Sequence, residues 1–312
     1  MSFDSSLLLQ QIINGLVLGS MYALIALGYT MVYGIINLIN FAHGEVLMVG
    51  ALSSWSVVGW LQTVRPDMPG WLMLLIALIA ACCICALLNY LIEKIAYKPL
   101  RNSPRLAPLI TAIGMSILLQ TLAMIIWKPN YKPYPFLLSG AFDFWGATMT
   151  YTQVLALALT VMALAALSYL VNRTKLGRAM RATAENPRVA ALMGIKPDTV
   201  ISATFIIGAV LAAIAGVMWG ANYGSINHTT GFLPGLKAFT AAVFGGIGNL
   251  PGAVLGGLIL GLVESIGAGY LSDWTGGFLG SQYVDILSFG ILIVVLVFKP
   301  SGLLGEKVAD RA

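Results

Sequence analysis

Few side chains in this chain could carry out chemistry, and their spacing excludes the commoner kinds. His43-Gly44-Glu45 sets an imidazole beside a carboxylate. Two potential ligands do not make a metal site, so no metal is expected, and the pair is read as capping the start of a helix. Cys82, Cys83 and Cys85 share one apolar block; they stand too close to staple a fold, and helix packing accounts for them. No G-x-x-x-x-G-K-[ST] and no H-E-x-x-H occurs, so no P-loop for ATP and no zinc-protease site is encoded. No reactive constellation suggests an enzyme. What remains is a lysine and a glutamate inside apolar runs, Lys237 and Glu264, and a capped segment at 186–194.

These residues must be positioned by membrane elements. Of 312 residues 59% are hydrophobic and only 9% charged, against about 25% charged in a soluble domain; mean hydropathy is +0.88. The apolar residues form blocks at 7–28, 44–62, 71–95, 108–127, 151–172, 200–222, 233–248, 250–270 and 283–298, most near the ~20 residues a spanning helix needs. The expected fold is all-α: a polytopic transmembrane helix bundle, one domain over 1–312, with a cytoplasmic loop at 173–199. Two stretches, Tyr33 to Gly44 and 233–248, are rich in Gly or Asn and read as broken or re-entrant segments. The N-terminus lacks the basic region of a cleavable signal.

The net charge of +5 reflects loops rather than a nucleic-acid partner, which is not expected. Lys94, Lys98, Arg101 and Arg105 lie in one loop, and Arg173, Lys175, Arg178, Arg181, Arg188 and Lys196 in another. Lys299, Lys307 and Arg311 lie in the tail, so thirteen of the 17 basic residues fall in three segments. The positive-inside rule puts all three in the cytoplasm. The N-terminus, with Asp4 and no base, is then periplasmic, and nine crossings join the two ends if 233–248 crosses. Trp127, Tyr131, Tyr134 and Phe136 suit an outer interfacial belt. Lys237 precedes Asn249 by 12 residues and Glu264 follows it by 15. At 1.5 Å per residue these are ~18 and ~22 Å along antiparallel helices, so the two are expected to form an ion pair within the membrane, where a lone carboxylate is costly. Gly34-Ile35-Ile36-Asn37-Leu38 and Gly246-Ile247-Gly248-Asn249-Leu250 share G-I-x-N-L, a weak echo of an internal repeat.

The loop at 173–199 is the most informative. Asn186 suits an N-cap, Pro187 the first helical position and Gly194 the C′ position. Val189, Leu192 and Met193 form one apolar stripe. A helix of two turns is unstable alone and needs a groove to pack in.

The run from Ala184-Glu185 to Gly194 resembles the EAA loop of ABC-importer permeases. Two longer runs, from Tyr29 to Glu45 and from Lys237 to Ala253, resemble the LivH-type permeases of branched-chain amino-acid importers, and the likeness extends from Gln10 to Gly305. No family motif matches 128–150. The resemblance implies an ATP-driven permease for hydrophobic amino acids in the inner membrane. It implies a second related permease, two cytoplasmic ATPase subunits that bind ATP and Mg in place of any cofactor here, a periplasmic binding protein, and surrounding lipid. It makes 184–194, with Arg181, Glu185 and Arg188 at the rim, the ATPase-docking element. A path for a zwitterion needs uncharged polar groups, for which Asn37, Asn40, Gln120 and Asn249 are candidates. A permease for another small polar solute such as urea is the alternative. An ion-coupled secondary transporter would instead use Glu264, Glu45, Lys237 or Asp285 and leave the capped loop without a purpose.

Overall fold

The computed structural model describes residues 5–101, 103–104 and 106–305. Asp4, Arg105, Lys307 and Arg311, assigned above to one side or the other, lie outside the described residues. Among the described residues eight helices are long and apolar enough to cross a membrane. They are α1 (Ser5–Ile36), α2 (His43–Val64), α3 (Gly70–Ile92, continued by a π-turn at Glu93–Tyr97), α4 (Leu106–Trp127), α5 (Tyr151–Arg173), α8 (Pro197–Tyr223), α10 (Leu250–Trp274) and α11 (Val284–Phe298). Between α5 and α8 lie two short helices, α6 (Lys175–Glu185) and α7 (Pro187–Leu192); α9 (Phe232–Gly245) precedes α10.

The helix ends follow local chemistry. Thr150 and Gln153 exchange side-chain and backbone hydrogen bonds in a capping box that starts α5. Gly224, at φ +68°, closes α8. Asn249 caps α10 by accepting from Gly252 N at 3.0 Å, with Pro251 in the first turn. The first span runs to Ile36 rather than stopping at 28. Tyr29 and Tyr33 interrupt the apolar run, but Tyr29 packs edge-on against His43, with ring centroids 4.8 Å apart, so a tertiary contact carries the helix onward.

Buried helices α1, α2, α8 and α10 form the centre; α3, α4, α5 and α11 surround them and expose Leu87, Ile125, Val161 and Ile293 outward. Burial between helices gains little over lipid, so close approach of backbones must hold the centre together. Glycines supply it. A Cβ on Gly19 would stand 2.7 Å from Leu258 Cα, and one on Gly261 2.2 Å from Gly19 N. Helices α1 and α10 therefore meet backbone to backbone, antiparallel. A Cβ on Gly216 would stand 2.2 Å from Leu47 O, which locks α8 to α2 in the same way.

Two ends can be told apart. At one, β1 (Lys132–Pro133) pairs antiparallel with β4 (Ser225–Ile226), and β2 (Ala141–Phe144) forms a hairpin with β3 (Ala147–Thr150). Tyr134, placed in an aromatic belt above, is instead 2% exposed. It wedges against Gly220 and donates to Ser54 Oγ at 3.2 Å, and burial raises its phenol to about 12. Trp127 donates to Ser56 Oγ at 2.8 Å, whereas Tyr131 and Phe136 are exposed. At the other end lie the basic loops and the tail, where Leu303 N and Leu304 N donate to Phe244 O and Gly245 O.

Helix α9 has 14 residues, ~21 Å, short of the ~30 Å core. With the turn 227–231 it nevertheless connects the two ends of the bundle, because β4 lies at the first end and Gly245 at the second. A second break follows α1. His43 packs against Gly28, eight residues before α1 ends, so the irregular stretch 37–42 climbs back ~12 Å before α2 begins. The two G-I-x-N-L copies adjoin: a Cβ on Gly34 would stand 3.9 Å from Gly248 Cα.

Candidate functional site

Irregular backbone is tolerable at membrane depth only inside protein or facing a cavity, and both breaks border one. A cavity of about 530 Å³ is lined by Tyr29 from α1, by Phe41, Gly44 and Glu45 from the 37–42 break and α2, by Ser116 and Gln120 from α4, and by Thr229, Phe232 and Leu233 from the 227–231 break and α9. Each break is organised by an asparagine. Asn40 Oδ1 accepts from Ala42 N at 3.1 Å and from Tyr97 Oη at 2.8 Å. Asn227 Oδ1 accepts from Thr229 N at 3.0 Å and Thr230 Oγ1 at 2.9 Å. The first turns of α2 and α9 then meet through glycine: a Cβ on Gly44 would stand 2.6 Å from Gly231 O and 2.9 Å from Gly235 Cα. Gln120 Nε2 donates to Glu45 Oε1 at 2.7 Å, and Ser116 Oγ donates to the same oxygen at 3.0 Å.

A second polar centre joins α9, α10 and α11. Lys237 Nζ lies 2.7 Å from Glu264 Oε1 and 2.7 Å from Asp285 Oδ1. Tyr22 Oη donates to Glu264 Oε2 at 2.7 Å. One ammonium thus serves two carboxylates and ties three helices, with α1 joined through the tyrosine. Lys237 lines two neighbouring cavities of about 480 and 380 Å³, which contain Tyr223 and, in the second, Trp219.

The third centre is α7. Asn186 Oδ1 accepts from Arg188 N at 3.0 Å and Val189 N at 3.2 Å. At the other end Ile195 N donates to Ala190 O and Gly194 N to Ala191 O, both 3.1 Å, with Gly194 at φ +84°; this is a Schellman motif. Ala190 is buried, while Val189, Leu192 and Met193 are 52%, 86% and 79% exposed. A helix fixed at both ends thus holds bare apolar side chains outward at the basic end. Glu185 and Arg188 are exposed beside it and Ala184 half-buried. Arg181 donates back to Val171 O, so it braces α6 against α5.

The remaining candidates are spread. Asn37 is exposed in the left-handed region at φ +50°. Asn249 uses its side chain as the cap of α10 and as a donor to Leu304 O at 2.9 Å; it lies at the basic end, away from the 530 Å³ cavity. Cys82 and Cys85 have a C-x-x-C spacing not remarked above, but both are free thiols facing the Val210 and Val46 carbonyls of neighbouring helices. Sequence reasoning missed the cluster at the basic end where Arg101 bonds both Glu93 and Asp198, Lys98 Nζ lies 2.8 Å from Asp198 and Ser202 Oγ donates to Glu93 at 2.8 Å. No local pattern signals it, because Glu93 lies in the extension of α3, Lys98 and Arg101 just beyond it, and Asp198 and Ser202 in α8. Among the described residues no group of three or more His, Cys, Asp or Glu could hold a metal ion.

Known proteins match nearly the whole length of this chain in sequence. The family described as branched-chain amino acid transport system / permease component matches residues 11–296. A high-affinity branched-chain amino acid transport system permease protein, BraD of Pseudomonas aeruginosa, is 47% identical over 308 residues, 97% of each chain. The permease protein LivH of Escherichia coli K12 is 45% identical over the same share of both chains. A probable LivH of Methanocaldococcus jannaschii is 30% identical over 94% of this chain and 91% of its own. With a family model matching most of its length and relatives 45–47% identical over 97% of it, the chain belongs to the family of branched-chain amino acid transport permeases.

Proposed function

We propose that this multi-pass membrane protein is one permease of an ATP-driven ABC importer for branched-chain amino acids. It sits in the inner membrane with the basic end in the cytoplasm and the N-terminus in the periplasm. The positive-inside rule supports that orientation: among the described residues Lys94, Lys98, Arg101, Arg173, Lys175, Arg178, Arg181, Arg188, Lys196 and Lys299 gather at one end, and only Arg65, Lys128 and Lys132 at the other. A second, related permease completes the pathway, and a periplasmic binding protein delivers the substrate to the β-hairpin end.

The observation that carries the reading is the bare stripe of α7. Leu192 and Met193 stand exposed on a helix capped at both ends, and an apolar stripe held rigid in that way fits a groove on a cytoplasmic partner. Two ATPase subunits are that partner and bind the ATP and Mg. Their closing and opening would bias the alternate conformations of the pathway. Vesicles containing the assembled importer should accumulate labelled leucine, isoleucine and valine in the presence of ATP and the binding protein. Accumulation of urea with none of the three would replace this substrate class, and accumulation without ATP would replace the mechanism.

A further inference from the structure

Glu45 is a carboxylate with half its hydrogen-bonding capacity unused. The residue is 1% exposed. Ser116 and Gln120 both donate to Oε1, while Oε2 is buried without a hydrogen-bond partner. Among the described residues no lysine, arginine or histidine forms an ion pair with it. A carboxylate in a membrane is otherwise paired, so an unpaired one marks a functional position. It lines the 530 Å³ cavity, which falls within the ~300–1,000 Å³ range of small-molecule sites.

The rest of the cavity complements a zwitterion. The first turns of α2 and α9 meet at Gly44, Gly231 and Gly235, so two helix N-termini, each carrying partial positive charge, open toward one space at membrane depth. Phe41, Ile113, Ile117 and Leu233 give that space an apolar wall. Resting on the importer reading above, we infer that this cavity is a transit subsite for the amino acid. Glu45 takes the α-ammonium group, the paired N-termini of α2 and α9 face the α-carboxylate, and the apolar wall receives the aliphatic side chain. Ser116 and Gln120 position Glu45 by holding its other oxygen. A neutral solute such as urea would leave Glu45 without a counter-charge.

The test uses the complete transmembrane complex with its ATPase subunits, purified without the binding protein so that only this site reports. Thermal unfolding is followed with about 10 mM of each probe, because ligand held by the folded state raises the midpoint. Leucine should raise it, 3-methylbutylamine should raise it less, and 4-methylpentanoate and urea should leave it unmoved. Glu45→Gln should weaken leucine binding at least tenfold, the loss expected for a charge-assisted hydrogen bond, and Glu45→Asp should fall between. The probe series needs no variant, so a folding defect in E45Q does not spoil it. Equal shifts from leucine and 4-methylpentanoate, or no shift with leucine, would overturn the subsite. Leucine uptake by the same complex in vesicles, with ATP and the binding protein supplied, is scored separately. Uptake without these shifts removes the subsite alone, whereas absence of uptake removes the importer reading beneath it.

Discussion

Arg101, just past α3, binds the carboxylate of Asp198 in the first turn of α8. The same guanidinium holds Glu93, whose side chain is fully buried. Asp198 lies four residues beyond Gly194, so the end of α3 is fastened to the strand of chain that leaves α7. A displacement of α7 therefore reaches α8, and with it the α2 packing partner, through a short rigid connection. Removing one partner of a buried pair leaves an uncompensated charge and costs about 3–5 kcal/mol. Arg101→Ala should fall toward the lower figure, since Lys94 Nζ remains 3.9 Å from Glu93. Adding Glu93→Gln should recover much of the loss in detergent thermal unfolding. A double variant no more stable than Arg101→Ala would refute the argument.

The stripe on α7 predicts an order of effects. Apolar anchors dominate interfaces and rim charges contribute little. Leu192→Asp should reduce co-purification of the ATPase subunits at least tenfold, and Arg188→Ala by less than threefold. Gly194→Val should lie between. Its Cβ would meet nothing within 4 Å, so the only penalty is the left-handed backbone at φ +84°, about 1–2 kcal/mol. Equal retention of ATPase in Leu192→Asp and the parent would dissociate α7 from coupling.

The second carboxylate at Lys237 changes what charge exchange can achieve. Swapping Lys237 with Glu264 alone would set the new glutamate against Asp285, now 2.7 Å from the ammonium. Full rescue by that swap is not expected. Lys237→Met should abolish assembly by leaving two acids together, and adding Glu264→Gln with Asp285→Asn should restore membrane-inserted protein, measured by size-exclusion chromatography. Failure of the triple variant would show that the charges themselves, rather than their balance, are needed.

Glycine packing makes a paired prediction. Gly261→Ala forces a methyl group to within 2.2 Å of Gly19 N, whereas Gly114→Ala meets nothing within 4 Å. The first should prevent stable assembly, because two backbones must separate. The second should be neutral or raise stability by up to ~1 kcal/mol, the helix-propensity gain. Expression and thermal midpoints of the two variants decide it.

Sidedness can be read by labelling. On a cysteine-free background, cysteines at Asn130 and Ser272, both exposed at the hairpin end, should react with an impermeant reagent from the periplasm. One at Lys175 should not; it is preferable to Thr174, whose hydroxyl caps α6. Ser2, Asn102 and Ala309, further positions on the same topology map, lie outside the described residues. Periplasmic labelling of Lys175→Cys would invert the orientation.

The features readable from sequence were those with local causes. Apolar runs set the spans to within a few residues, except where Tyr29 met His43. Asn186, Pro187 and Gly194 announced a capped helix because caps depend on immediate neighbours. Helix α6 went unremarked although Thr174 caps it, since its apolar residues are interleaved with arginines. Glu45 was visible as the neighbour of His43 and as one of a few intramembrane charges, but not as a cavity-lining carboxylate. That Ser116 and Gln120, over 70 positions away, satisfy one of its oxygens and leave the other bare is a property of packing. Tyr134 looked like a surface aromatic because nothing nearby in sequence tells that Gly220 leaves room for its ring.

The attachment of the tail to α9 sets an order of biosynthesis. The carbonyls of Phe244 and Gly245 are satisfied by Leu303 and Leu304, and Asn249 is pinned to Leu304, 55 residues downstream. While the ribosome is making α10 and α11, Gly246 serves the Ala242 and Val243 carbonyls, but those of Phe244 and Gly245 lack their donors, and the end of α9 must wait in an unfinished state. Completion of the α9–α10 turn is thereby delayed until α11 has been inserted and the chain beyond it has emerged. A nascent chain stopped at Lys299 should leave this turn open to protease or deuterium exchange, while one extended through Gly305 should close it.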